Sequence, residues 1–317
     1  TATTEIYTLS LRDALPIFFI ASPAQSTAGA AIAPAVRVAI QDASGNTVTS
    51  FTGDVTVAPG ANPAGGVWSA TTTVAAVAGG ATFSSLSVDK AASGYPLVAP
   101  SDPLTPATSA PFTVIAGAAT ELLFTVQPSA ATAGAVITPQ VEVTARDAHG
   151  NTATSFTGNV TVAFGSNPAG GTLSGTTQVA AVAGVAAFSA LSMNTAGTYT
   201  LAASGTGLTP DTSASFTISA GAVSHLVFTG QPSAATAGAS ITPAVTVTAR
   251  DSLGNTVTGF TGNVTVAIGT NPVGGVLSGT LTRAASGGIA TFDDLRINAA
   301  APGYTLTAHA TGVTGAV

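Results

Sequence analysis

The sequence predicts an all-β protein made of three tandem β-sandwich domains in an elongated array. Three observations predict it. Only 6% of the 317 residues are charged, while glycine reaches 36 and proline 18; this favours many short strands and tight turns over helices. A set of phrases recurs at spacings of 105 and 104 residues: D-x-x-G-N-T at Asp42, Asp147 and Asp251, and G-x-A-x-F around Phe83, Phe188 and Phe292. Within each copy, apolar and polar residues alternate with a period of two, as in half-buried strands.

The period sets the size of the unit. At about 104 residues it is too long for a solenoid repeat and matches a whole domain with its own core. The boundaries fall at residues 17–117, 118–221 and 222–317. Asn62-Pro63, Asn167-Pro168 and Asn271-Pro272 keep the same step, as do Pro23, Pro128 and Pro232.

The middle copy shows each element in order. In "PQVEVTARDAHGNTATSF", Val141, Val143 and Ala145 alternate with Glu142, Thr144 and Arg146, predicting a strand. "DAHGN" follows as a turn. Asp147 can accept hydrogen bonds from amides ahead of it, and Gly150 and Asn151 tolerate positive φ. "GNVTVAFG" is a second strand with Val160, Val162 and Phe164 on one face, and "NPAGG" is another turn. "GVAAFSALSM", "TYTLAAS" and "SASFTIS" read as further strands. About seven short strands with a turn signal every 8–12 residues is the pattern of an immunoglobulin-like sandwich.

These residues also carry a family likeness. The strand-and-turn V-x-V-x-x-x-D-x-x-G-N, present as "VTARDAHGN" (143–151) and "VTARDSLGN" (247–255), resembles the bacterial immunoglobulin-like repeats of invasin- and intimin-type surface proteins. The later G-x-A-x-F segment and the closing "AGTYTLAAS" extend the resemblance over residue 17 onward. The first copy departs from it, with "SGYPLVAPSDPLTP" in place of "AGTYTLAASGTGLTP". The resemblance implies a spacer in a cell-surface adhesin and an extracellular or bacterial surface location.

The ends of the chain carry separate expectations. "TATTEIYTLSLRDALPI" (1–17) matches nothing else in the chain and closely resembles a translated sequencing adapter. Residues 1–16 are therefore read as a non-native leader, outside the fold. The first strand is expected to begin at Ile17, because "IFFIASPAQSTAG" aligns with "LLFTVQPSAATAG" from Leu122. At the other end, Phe112 and Phe216 close the first two copies. Their counterpart would fall near position 321, so the third domain is expected to lack its last strand.

The chain offers little reactive chemistry. It has no cysteine, which excludes disulfides and thiol nucleophiles. Seven basic residues in 317 leave no electrostatic footprint for nucleic acid or anionic membrane. The apolar stretch "QVAAVAGVAAFSAL" is too short to span a bilayer. His149, His225 and His309 occupy three different repeat positions and are expected to be solvated or structural. Asp293 and Asp294, adjacent on a predicted strand, should face opposite ways. No nucleophile elbow, P-loop or dinucleotide fingerprint is present, so no catalytic residue and no cofactor are expected.

Weaker signals remain. Asp42, Asp147 and Asp251 are candidate Ca²⁺ ligands, but one carboxylate per turn falls short of the six to eight oxygens calcium takes. Asn159 and Asn263 lie in N-V-T sequons, where the first copy has Asp54. Trp68, in place of Leu173 and Leu277, is expected in the core. The expected partners are neighbouring repeats. A host protein or glycan would make the chain a binding module instead, and an accessory region of a secreted enzyme is the third reading.

Overall fold

The computed structural model describes residues 15–69, 72–100 and 106–317. The reading of residues 1–16 as a leader falls almost wholly outside them. The described residues form strands, bridges and turns with no helix. They are organised around three separate apolar clusters, one per repeat.

Repeat two gives the clearest plan. One sheet pairs Glu121–Val126 with Val141–Arg146 and that strand with Val185–Phe188. The other runs in the order Ala131–Thr132, Phe216–Ser219, Gly197–Gly205, Asn159–Ser166, Gln178–Ala180. The two inner faces meet over Val141, Val143, Val160, Val162, Phe188, Tyr199 and Leu201, all essentially inaccessible to water. Period-two alternation places each of these side chains inward, and burial of this apolar area supplies the main stabilisation of the sandwich. The closing strand Phe216–Ser219 lies parallel to Ala131–Thr132 and antiparallel to Gly197–Tyr199. It stacks Phe216 on Tyr199 at 6.3 Å.

Repeat one begins its first strand at Ile17, which is buried and pairs with Ile40. Its irregular segment has a local cause. Where repeat two runs one long strand, Gly197–Gly205, repeat one has two, Ala92–Tyr95 and Leu97–Ala99, divided at Pro96. The neighbouring strand is likewise split into Asp54–Thr56 and Ala58–Pro59. Proline has no N–H for the ladder, so Pro96 interrupts pairing; the break in the neighbouring strand falls at Val57, and Pro59 still stands opposite Leu97. Trp68 packs edge-on against Tyr95 and Phe112, at 6.0 and 6.4 Å, and pairs through Val88 as Leu173 does through Met193.

Some elements differ from expectation. "GVAAFSALSM" is not one strand but two, Val185–Phe188 and Ser192–Met193. The apolar stretch from Gln178 turns sharply at Ala183-Gly184, both at positive φ (49° and 83°), and passes from one sheet to the other. No helix among the described residues is long and apolar enough to cross a membrane. Asp293 and Asp294 do not face apart. The strand ends at Phe292, the alternation ends with it, and both carboxylates reach Arg283, at 2.5 and 3.5 Å.

Repeat three is built on the same frame, with Val245–Arg250 between His225–Gly230 and Ile289–Phe292. Val313–Ala316 pairs with both Leu306–Ala310 and His225, joining the two sheets at one edge.

Candidate functional site

The D-x-x-G-N turn follows directly from the strand Val141–Arg146. The Asp147 N–H donates to the Asn151 carbonyl, and the Gly150 N–H donates back to Asp147. Gly150 supplies the left-handed residue at φ 76°. Asp147 Oδ1 accepts from the amides of His149 and Asn151, both at 2.9 Å. Sequence reasoning foresaw this much.

Asn151 has a different role from the one its sequence position suggests. Its φ is not positive: among the described residues the only non-glycine positions with positive φ are Ala78 and Ala183. The asparagine is needed for its side chain. Its Nδ2 donates to Asp147 Oδ2 at 2.9 Å and to the Asp89 carbonyl of repeat one at 2.8 Å. Its Oδ1 accepts the Ala91 N–H of repeat one at 2.9 Å. The same Oδ2 of Asp147 accepts the Gly117 N–H of the connecting segment at 2.8 Å. One aspartate–asparagine pair therefore holds its own turn, the linker and the preceding repeat.

The second junction repeats the pattern. Asn255 Oδ1 accepts the Ala196 N–H at 2.8 Å, and its Nδ2 donates to the Asn194 carbonyl at 3.0 Å. Asp251 accepts the Gly221 N–H at 2.8 Å. Asp147 and Asp251 are each 2% exposed. In repeat one the corresponding Asp42 is only partly covered and Asn46 is exposed. The same residues close the same turn there, with Asn46 N–H donating to Asp42 Oδ1 at 2.9 Å.

The tips of the turns make each junction individual. Lys90, the only lysine, donates to the His149 carbonyl at 2.6 Å. His149 lies against Gly29 of repeat one: a Cβ on that glycine would fall 1.9 Å from His149 Nε2. Leu253 lies against Gly134 in the same way, at 3.1 Å from such a Cβ. His149 is thus a junction residue rather than a merely solvated one, while His225 and His309 sit on strands within repeat three.

Burial works against charge on Asp147 and Asp251. Hydrogen bonds from the Asn151 and Asn255 side chains and from the surrounding amides outweigh it and hold both carboxyls below the ordinary carboxylate value. Asp42 is held low chiefly by the Asn46 amide. All the donors that meet these carboxylates are N–H groups. A carboxylate has about four lone-pair directions, and four nitrogens donate to Asp147: the amides of Gly117, His149 and Asn151 and the Asn151 side chain. That polarity is wrong for a cation. Among the described residues no three His, Cys, Asp or Glu side chains cluster in a way that would hold a metal ion.

No protein-family model and no curated protein matches the chain. Solved structures similar to it include the Escherichia coli adhesin FdeC, with 19% identity over 94% of this chain and 92% of that one, at a TM-score of 0.44. Yersinia pseudotuberculosis InvD has 16% identity over 92% and 83%, at 0.39. Invasin, described as a bacterial integrin-binding protein, has 14% over 93% and 56%, at 0.35.

Proposed function

We propose that the chain is a spacer: immunoglobulin-like repeats at 17–117, 118–221 and 222–317, locked end to end as the stalk of a bacterial cell-surface or secreted adhesin-like protein. The observation that carries this reading is the recurrence of one buried aspartate–asparagine clamp at both junctions, with the same atoms gripping the linker and the preceding repeat. A flexible tether needs no such clamp. A protein that must hold a distance does, because each fixed joint removes a bend. The resemblance of the repeats to invasin- and intimin-type modules supports placement on a surface. The turns of successive copies do the same structural work, and the chemistry at them is hydrogen bonding without a reactive group.

The test is the distribution of distances between spin labels on repeats two and three. A narrow distribution that broadens in Asn255→Ala is the expected result. A broad distribution in the unaltered chain would sink the spacer reading.

A further inference from the structure

Repeat two is joined to a neighbour at both ends, so a pull along the array enters it at its first strand and leaves at its last. These two strands lie side by side. The exit segment 209–219 runs parallel to the entry segment 120–133, and one register holds along the whole seam. The Leu122 N–H donates to the Thr209 carbonyl and the Thr209 N–H to the Thr120 carbonyl, both at 2.9 Å. The Phe124 N–H donates to Asp211 Oδ2 at 2.8 Å, and the Ala214 N–H donates to Gln127 Oε1 at 2.9 Å. Ala131 and Thr132 then pair with Ile218 and Ser219, and the Ala133 N–H donates to the Ser219 carbonyl at 2.8 Å. Partners stand 87 residues apart at Phe124–Asp211, at Gln127–Ala214 and at Ala131–Ile218.

Two of these contacts come from side chains, and their place explains them. Between Val126 and Ala131 the entry segment leaves one sheet and joins the other. Strand pairing lapses at such a crossing, and Pro128 has no N–H to offer. Asp211 and Gln127 supply acceptor oxygens there in place of main-chain carbonyls, so bonding continues along the seam. Repeat one keeps the main-chain part, with Gln25–Thr27 parallel to Thr113–Ile115. It has Ser22 and Ala107 where repeat two has Gln127 and Asp211.

We infer that repeat two is built to carry tension, and that Asp211 and Gln127 are the side chains that fasten its entry strand to its exit strand under load. Drawing the two neighbours apart pulls the entry strand back and the exit strand forward. In a parallel pair these pulls oppose each other along the strand axis, so all the contacts of the seam are strained together. Strands pulled apart from one end give way one bond at a time instead. Resistance to forced unfolding follows the unfolding rate and not the equilibrium stability, and it rises with contacts that the transition state has lost. A seam whose bonds must part together supplies such contacts. Tension passes through a flexible joint as well as a stiff one, so this role stands or falls separately from the fixed distance of a spacer.

The chain has no cysteine, so pairs of introduced cysteines can anchor the full chain for single-molecule pulling at chosen points. Ala118, Ala135 and Ala222 are exposed. Ala118→Cys with Ala222→Cys loads the seam of repeat two lengthwise. Ala135→Cys with Ala222→Cys loads it from one end, since Ala135 adjoins Gly134, which meets Leu253 of repeat three. The lengthwise rupture force should be at least about twofold the higher at equal loading rate. Asp211→Ala combined with Gln127→Ala should lower the lengthwise force and leave the other unchanged, while Asp211→Asn, which keeps an acceptor oxygen, should retain most of it. Equal forces in the two directions in the otherwise unaltered chain overturn the proposal. A double variant that folds but weakens both directions alike also overturns it, because the two side chains would then be ordinary stabilisers of the sandwich.

Discussion

Asn151 serves two repeats at once. Both ends of its amide are used across the junction, one as donor and one as acceptor, so no smaller or charged residue replaces it. Asn151→Ala should leave the Ala91 N–H and the Asp89 carbonyl unpaired and weaken coupling between repeats one and two by about 1–3 kcal/mol. Separate unfolding transitions for the two repeats in place of a coupled one would register this. Asn46→Ala, at the equivalent exposed turn, should cost much less. The clamp also has a defined pH response. The folded pKa values of Asp147 and Asp251 lie below their unfolded values, so their stabilisation is complete above the unfolded carboxylate pKa of about 3.9 and is lost as pH falls through the depressed folded values. Junction stability should therefore be flat from neutrality to about pH 5 and decline only in stronger acid. Thermal melts across that range check it, and a loss of coupling near pH 6 would point to a different group. The turn itself was legible in the sequence, because aspartate and glycine act there through local backbone geometry. The clamp was not. The partners of Asn151 and Asn255 are main-chain atoms about sixty residues upstream, and main-chain recognition imposes no residue type: Asp89 stands at one junction and Asn194 at the other.

Among the elements, the tight turns at Ala78-Gly79 and Ala183-Gly184 hold an alanine in the left-handed region, at φ 50° and 49°. Repeat three uses Gly287 there, at φ 58°. An alanine in that conformation costs on the order of 1–2 kcal/mol, partly offset by the chain entropy a glycine would lose on folding. Ala183→Gly should raise the stability of repeat two by about 0.5–1 kcal/mol, measurable by denaturant unfolding at constant m value. The closing strand weighs far more. Phe216→Ala removes a buried ring from the Tyr199 stack and should destabilise repeat two by about 3–5 kcal/mol; a loss under about 1 kcal/mol would mean that the strand contributes little to the core. Strands with clear period-two patterning, such as Val141–Arg146, were readable because one face is buried. The divided strands of repeat one and the corner at Ala183 were harder to read. Proline and left-handed turns there redirect the chain without disturbing the apolar count.

At the scale of the whole molecule, the same set of hydrogen bonds recurs at both joints. With N–H groups surrounding Asp147 and Asp251, the melting temperature should be the same in calcium and in chelator; a rise of many degrees with calcium would show that oxygen ligands from elsewhere complete a site. The repeat period was enough to reveal three domains, since each copy buries its own apolar cluster. The locking of the copies was not legible, because it uses few residues and its hydrogen bonds go to main-chain atoms of the earlier repeat. The clamp also has a direction. Each gripping turn belongs to the later repeat and takes hold of loops in the earlier one. A chain made from its N-terminus completes the earlier repeat first, before the next turn forms. The order of synthesis is then also the order of docking. Each finished unit serves as a template against which its successor is aligned, and near-identical neighbours are sorted by time of arrival, without any need for differences in sequence.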